Sequence, residues 1–205
     1  MFPDQFCRDA QVVLLDAFDC LSNEKLHLLE KYMIHELAQN FRVGHDSLAD
    51  NDASVQFILH EIPLVSVEGF HFTYGPFPPP EGYVSQDWLD LTTYIIPQED
   101  SEFSDFNRQK EITEKAAKQG CFIRLDTKVE CDIEFILRKK SSDLILMRDR
   151  KRSLNVSFLS PHFSPRDDIF DLQDDGSWKL LWDWKILDID NVGGNQYNLI
   201  KAISK

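Results

Sequence analysis

The side chains best placed to do chemistry are seven basic residues between positions 138 and 152. They are Arg138, Lys139, Lys140, Arg148, Arg150, Lys151 and Arg152. A turn between two antiparallel strands is expected at residues 141–143, so the strand pair would gather these charges at or near one sheet end. Clustered cations bind an acidic protein, RNA or an anionic lipid surface. The alternative is that they are edge residues whose charge discourages strand-to-strand aggregation.

No motif in the chain predicts catalysis or metal binding. His27 and His35 are eight positions apart, which is not the spacing of a helical metal pair, and His35-Glu36 does not begin an HExxH motif. Gly193-Gly194 lacks the Lys-Ser/Thr of a phosphate loop and fits a hairpin turn. No spacing separates an acid–base pair from surface carboxylates. We therefore predict no catalytic residues, metal ligands or cofactor, which favours a non-enzymatic protein over an enzyme.

The four cysteines are expected to be reduced thiols. Cys7, Cys20, Cys121 and Cys131 form no CxxC pair and have no histidine at zinc-ligand spacing. The N-terminal MFPDQFCRDA has neither the basic start nor the apolar run of a signal peptide. Disulfides of a secreted protein are therefore the less favoured alternative.

Charge and hydropathy limit the class of partner. The 205 residues are 42% hydrophobic, as in globular proteins, and carry a formal net charge of −13. A phosphate backbone is bound through clustered Lys and Arg, so this acidic balance opposes nucleic acid as the main partner, and no DNA is expected. No run approaches the 18 or so apolar residues of a transmembrane helix.

The positioning elements begin with two helices joined by a tight turn, predicted within residues 8–42. An apolar stripe that includes Val12 marks the first helix. Ser22 and Asn23 interrupt the pattern and supply N-cap chemistry for the second helix, whose apolar residues recur at intervals of three or four up to Phe41.

Strands and loops are predicted from residue 44 onward. Residues 44–54 read as a polar loop, and Pro63 and Gly69 would divide the following β-branched and aromatic run into short strands. GPFPPPEG, residues 75–82, is a polyproline-like loop, either a stiff connector or a ligand for an aromatic groove. A helix of about 15 residues, FNRQKEITEKAAKQ, should end at Gly120.

The last third of the chain predicts long antiparallel strands. Five alternate residues share one face of the strand that starts at Cys121: Val129, Cys131, Ile133, Phe135 and Leu137. DLILMRD and SLNVSFLSPHF are expected to be separate strands. The predicted fold class is therefore α+β, with N-terminal helices packed on a curved antiparallel β-sheet.

A tryptophan-rich stretch, DDGSWKLLWDWKILDID, should form a turn and a closing core strand. Period-2 counting places one set of residues on a single face: Trp178, Leu180, Trp182, Trp184 and Ile186. Aromatic platforms that stack nucleic-acid bases have basic neighbours, whereas this stretch is flanked by aspartates. Packing beneath the helices is therefore the favoured interpretation.

Helices followed by a strongly curved antiparallel sheet are the plan of the nuclear-transport-factor-2-like cone fold. Within it, the block CRDAQVVLLDAFDCLSNEKLHLLEKYMIHELAQNF resembles the opening helices of the family of the mitochondrial import-motor anchor. That family includes a mitochondrial large-subunit ribosomal protein and inner-membrane ribosome receptors. Residues 121–186 are similar to its long strands, charged turn and closing strand introduced by Asp-Gly-Ser-Trp. Residues 1–205 would form one α+β domain, with an insertion-like segment at about 43–120.

The resemblance implies a non-enzymatic adaptor or assembly component, peripheral at the mitochondrial inner membrane or the mitochondrial ribosome. Its partner would be a protein complex, bound through the seven basic residues, and charge reversal at Arg148, Arg150 and Arg152 would remove that partner from a normally folded protein. One alternative is a small-molecule-binding or enzymatic cone-fold protein with a pocket near Tyr32, His35 or Asp183. Another is a cytoplasmic or nuclear subunit of an unrelated complex.

Overall fold

The computed structural model describes residues 2–89, 91–102, 105–163, 170–172, 178–180 and 183–189. Within these ranges the helices are α1 (Phe2–Ser22), α2 (His35–Asp50) and α3 (Phe106–Gln119), with 3-10 helices at Leu26–Lys31 and Gln98–Asp100. The strands are β1 (Ala53–Leu59), β2 (Leu64–Tyr74), β3 (Tyr83–Leu89), β4 (Thr92–Pro97), β5 (Cys121–Lys139), β6 (Ile145–Leu159), β7 (Phe170–Leu172), β8 (Trp178–Leu180) and β9 (Lys185–Ile189).

The main sheet has the strand order β3-β4-β2-β5-β6-β9, and β1 pairs with β5 as well. Pairing is antiparallel between β1 and β5 and between β3 and β4, whereas β2 and β4 are parallel over three residues. β7 and β8 form a separate two-stranded ladder. The predicted α+β class, with helices first and a largely antiparallel sheet after them, is confirmed.

The chain divides into two compact units. The first comprises the described parts of Met1–Glu68, Asp126–Phe158 and Trp184–Lys205, and the second those of Gly69–Leu125 and Leu159–Asp183. In the first unit α1 and α2 pack on β1, and α1 also contacts β9. In the second unit α3 packs on β4.

The core of the first unit is built on the apolar face of α1. The side chains of Phe6, Ala10 and Leu14 are fully buried, at the spacing that one helix face requires. Val12, which the sequence pattern placed on the apolar stripe, is instead 56% exposed. The prediction of the helix is confirmed, and Ala17 and Phe18 continue its buried face, but Val12 is not part of it.

The second predicted helix is broken. Residues 26–31 form a 3-10 helix, and α2 begins only at His35. Between them, Ile186 of β9 accepts a hydrogen bond from the Ile34 amide at 3.0 Å and donates one to the Tyr32 carbonyl at 2.8 Å. This tertiary pairing takes the chain out of the helix, although its apolar spacing remains helical.

The predicted boundaries around this break are also wrong. Ser22 and Asn23 do not cap a helix: Ser22 Oγ donates to the Phe57 carbonyl at 2.7 Å, and Asn23 Nδ2 donates to the Asp19 carbonyl. The polar loop predicted at residues 44–54 is largely the end of α2, which continues to Asp50.

Two strand predictions need correction. Gly69 lies inside the continuous strand β2, so only Pro63 divides the run. DLILMRD and SLNVSFLSPHF contribute to one strand, β6, rather than to two. In the tryptophan-rich stretch, β8 and β9 are separate strands. Trp184 and Ile186 are buried as predicted, whereas Trp182 lies outside the described residues.

In the second unit, α3 occupies the predicted residues and ends at Gly120. Asp105 caps its N-terminus by accepting a hydrogen bond from the Asn107 amide at 3.0 Å. Gly120 has a φ of +122°, and a Cβ there would lie 2.2 Å from Cε1 of His162. The His162 ring cannot move away without cost, because its Nε2 hydrogen-bonds the Gly75 carbonyl at 2.9 Å.

Gly120→Ala should therefore lower the free energy of unfolding by about 1–3 kcal/mol, because it combines backbone strain with a steric overlap. Urea denaturation would measure the loss. Gly82→Ala is the matched control, since Gly82 has a φ of +78° and no atom within 4 Å of the added Cβ. Equal losses in the two variants would show that the overlap with His162 contributes nothing.

Candidate functional site

Three of the predicted basic residues form a row on one face of β6. Arg148, Arg150 and Arg152 alternate along the strand, and their side chains are 63%, 48% and 68% exposed. Alternate residues of a strand are roughly 7 Å apart, so the three guanidinium groups follow one another at a regular interval. We call these three residues the arginine row.

The arginine row lies on the face of the sheet opposite the helices, because the alternation of side chains along β6 shifts by one residue part-way along the strand. Ser157 Oγ donates to Asp126, and Arg150 bonds Asp132. Both carboxylates are at even positions of β5, but their partners are at an odd and an even position of β6. One extra residue is therefore inserted in β6 between Arg150 and Ser157. Arg152 and Ser153 are both exposed at this change, which is the pattern of a β-bulge.

Two carboxylates lie beneath the row. Asp132 and Glu134 of β5 are only 2% and 3% exposed. Arg150 bonds Asp132 through two of its nitrogens, and Arg152 Nη1 donates to the same carboxylate at 2.6 Å. Arg148 bonds Glu134. Each carboxylate is thus held by guanidinium groups that cover it from the solvent side.

These contacts set the proton affinity of the carboxylates. The hydrogen bonds from Arg150 hold the pKa of Asp132 below its ordinary value, although burial acts in the opposite direction. The hydrogen bond from Arg148, with a further one from His60, likewise lowers the pKa of Glu134. Both groups are therefore ionised at neutral pH. Three guanidinium cations thus stand against these two carboxylates, and Glu61 acts on Arg150 as a further anion.

The loop between β1 and β2 borders the row. Its His60 amide donates to the Asp132 carbonyl oxygen at 2.8 Å, and the His60 ring lies 3.2 Å from Glu134. On the other side of the loop, Gln11 of α1 donates through Nε2 to the Pro63 carbonyl at 2.8 Å. The helix and the sheet together position this loop.

A groove of about 320 Å³ lies beside the loop. It is lined by Glu61, Ile62, Leu64, Lys128, Glu130, Cys131, Arg152 and Ser153. Ile62 and Leu64 are 68% and 64% exposed, so the groove offers apolar side chains next to one end of the arginine row. In the sequence, the one signal of this groove is the break at Pro63.

The other four predicted basic residues lie elsewhere on the β5–β6 hairpin. Arg138 pairs with Asp143 at 3.2 Å, and Lys151, on the face opposite the arginine row, pairs with Asp149 at 3.3 Å. Lys139 and Lys140 are exposed at the turn. The structure thus brings together three of the seven residues and adds His60 and the two carboxylates, which were not predicted.

The residues suggested for a small-molecule pocket do not line the groove. His35 is 68% exposed and pairs with Glu30 at 3.4 Å, Asp183 is exposed, and Tyr32 lies beneath the Lys31 ammonium group. Phe135 packs edge-to-face on Phe57.

The described residues contain no metal-binding cluster of three or more His, Cys, Asp or Glu side chains. All four cysteines lie among them and are free thiols. Burial raises the pKa of Cys121 and of Cys131 to about 11, so both are protonated at neutral pH. None of the helices described has both the length and the apolar character needed to cross a bilayer.

The fold and the site together define an α+β domain that exposes a row of arginines anchored on buried carboxylates. No protein-family model and no curated protein matches this chain.

Proposed function

We propose that this protein is a non-enzymatic adaptor that binds an acidic segment of a partner protein through the arginine row. One observation carries the proposal. The buried carboxylates Asp132 and Glu134 hold the arginine row from beneath, while the arginine side chains remain about half or more exposed. The carboxylates orient the guanidinium groups, and the outer faces of those groups are open to a partner.

The hydrogen bonds leave donors available on every arginine of the row. Arg148 uses only Nε, Arg150 uses Nε and Nη2, and Arg152 uses Nη1 among the described contacts. The remaining N–H groups are oriented before binding, so a carboxylate partner need not immobilise three long side chains. Planar guanidinium groups also match the geometry of a carboxylate.

The charge distribution favours a short acidic segment over an extended polyanion. The three arginines exceed the two carboxylates beneath them by one charge. Glu61 is close enough to act on Arg150, Glu61 and Glu130 line the neighbouring groove, and the whole chain carries −13. Charges screen one another beyond about 8–10 Å in physiological salt, so a short peptide senses the row. A membrane or an RNA would cover a larger area and meet the acidic remainder. Ile62 and Leu64 add apolar contacts suited to a protein.

The family resemblance supports a cellular location for this binding function. We propose that the adaptor acts peripherally at the mitochondrial inner membrane or at the mitochondrial ribosome, as part of a protein complex. The alternative locations are cytoplasmic and nuclear complexes. Each location predicts a different fraction in which the partner of the arginine row is recovered.

Arg152→Gln should reduce recovery of the partner about tenfold, the equivalent of one strong charge-assisted hydrogen bond. Arg150 still holds Asp132 through two nitrogens, so this variant should fold. Tagged wild-type protein and the variant would be affinity-purified from mitochondrial, cytosolic and nuclear fractions, and the partners quantified by mass spectrometry.

Lys115→Gln on α3 is the matched control, because it changes the net charge equally at an exposed lysine in the other unit. It should leave recovery unchanged. If Arg152→Gln retained the wild-type partners at the wild-type level, the arginine row would not be the binding site.

A further inference from the structure

Within the part of the chain that the structure describes, the first half of β6 has an open edge. The described strands that neighbour β6 are β5 and β9, and β9 has five residues against fifteen in β6. Trp184, which precedes β9, packs on Phe6 with their ring centroids 4.9 Å apart. Phe6 in turn packs on Phe158, with a centroid distance of 5.5 Å. β9 therefore lies toward the Phe158 end of β6.

Because β9 is short and lies toward the Phe158 end, we take Ile145–Arg152 as the stretch that β5 alone borders among the described strands, and we call it the open edge. Ile145 and Leu146 are each 45% exposed, as is much of the arginine row beyond them. An open edge presents unpaired backbone N–H and C=O groups that can accept another strand. The three arginines oppose addition of a basic strand, because like charges would face each other across the new strand pair. They do not oppose an acidic one.

The spacing of the row matches an acidic strand. Side chains on one face of a strand recur at every second residue, about 7 Å apart, and cross-strand neighbours have Cβ atoms about 4.5–5.5 Å apart. A strand added beside β6 with carboxylates at alternate positions would place each carboxylate opposite one arginine. Carboxylates at consecutive positions would point to opposite faces.

We propose that the partner segment binds by adding an acidic β-strand to the Ile145–Arg152 edge of β6, with carboxylates at every second residue facing Arg148, Arg150 and Arg152. This inference rests on the proposed function and specifies the conformation and the sequence pattern of the partner. The backbone hydrogen bonds supply affinity, and the arginine row supplies the selection for acidic side chains.

Three fluorescently labelled peptides test the strand model against the full-length protein by fluorescence anisotropy. In the first, three glutamates alternate with valine and threonine. The second has the same composition with the glutamates consecutive. The third is the first with N-methyl groups on the amides that would face β6. We expect the first to bind about tenfold more tightly than either of the others, and Arg152→Gln to weaken it.

The outcomes separate the two proposals. Equal binding of all three peptides, weakened equally by Arg152→Gln, would overturn strand addition but retain an acidic-segment binder. If no peptide bound and Arg152→Gln left partner recovery unchanged, both proposals would fail. Sedimentation velocity would detect a dimer that Arg152→Gln abolishes, which would assign the edge to a second copy of the chain. Arg152-dependent binding to phosphatidylserine vesicles, with no peptide bound, would assign it to a membrane.

Discussion

Replacing Arg148, Arg150 and Arg152 together by methionine should change the sign of the response of stability to acid. In the wild-type protein the folded-state pKa values of Asp132 and Glu134 are lowered, mainly by hydrogen bonds from the arginines. These two carboxylates therefore bind protons more readily in the unfolded chain than in the folded protein. The stability that these groups contribute is present above a pH of about 4 and is lost as the pH falls through the folded-state pKa values.

In the methionine variant the same carboxylates keep an apolar cover but lose the guanidinium groups. Desolvation then raises the pKa of Asp132, for which no cation of the row remains, while His60 still lies beside Glu134. The folded state binds protons more readily, so its stability should rise as the pH falls from about 7 toward 4. At neutral pH the variant should be strongly destabilised, since two buried charges have lost their partners.

Urea midpoints at several pH values, followed by circular dichroism, would measure this change. A variant with glutamine at Lys110, Lys115 and Lys118 of α3 is the control, because it removes the same total charge from exposed positions. It should retain the wild-type acid response. If the methionine variant retained it as well, the arginine row would not set the pKa values of the two carboxylates.

The same contacts alter an expectation drawn from the sequence. Charge reversal of the arginine row would place five carboxylates together, two of them buried. Such a variant should fail to fold, so loss of its partner would be uninformative. Single substitution at Arg152, which leaves Asp132 paired with Arg150, is the sharper test of binding.

Phe6→Ala should lower the free energy of unfolding by about 3–5 kcal/mol, the cost of deleting a fully buried aromatic ring and leaving a cavity. Phe6 is 0% exposed and makes edge-to-face contacts with Phe158 and Trp184, so it joins α1 to β6 and to the residue just before β9. Guanidinium chloride denaturation would measure the loss. The arginine row should remain intact in the folded fraction.

Val12→Ala on the same helix is the matched control. Val12 is 56% exposed, and substitutions at such surface positions change stability by within about 0.5 kcal/mol. A comparable loss in both variants would mean that α1 is not held to the sheet through Phe6. Together the two substitutions test the helix face that the structure assigns to the core.

Local patterns were sufficient for several elements. α3 is predicted because its residues are strong helix formers bounded by Gly120, and both properties act within a few residues. The inward face of β5 is predicted because strict alternation of apolar residues has one interpretation in a strand. The exposed polyproline-like loop follows from proline, which cannot donate to a sheet.

The candidate site was predictable only in part. The basic residues are visible in the sequence as a cluster. Asp132 and Glu134 stand at alternate positions of an apolar strand, and this pattern indicates that they have charged partners at alternate positions of the next strand. The sequence did not show which of them would pair, because the bulge at Arg152–Ser153 sets the register. The loop at His60 and the groove beside it depend on contacts with α1 and β5 that are distant in sequence.

By itself the sequence determined the α+β class, the first and last helices, the long alternating strand and the presence of a basic cluster on its hairpin. These depend on interactions between residues a few positions apart. Only the tertiary structure decided that Ile186 would break the second helix, that Asp132 and Glu134 would be buried, and that three arginines would be fixed above them. Pairing between segments far apart in the chain outweighs local propensity, because buried backbone groups and buried charges must find partners wherever the fold supplies them.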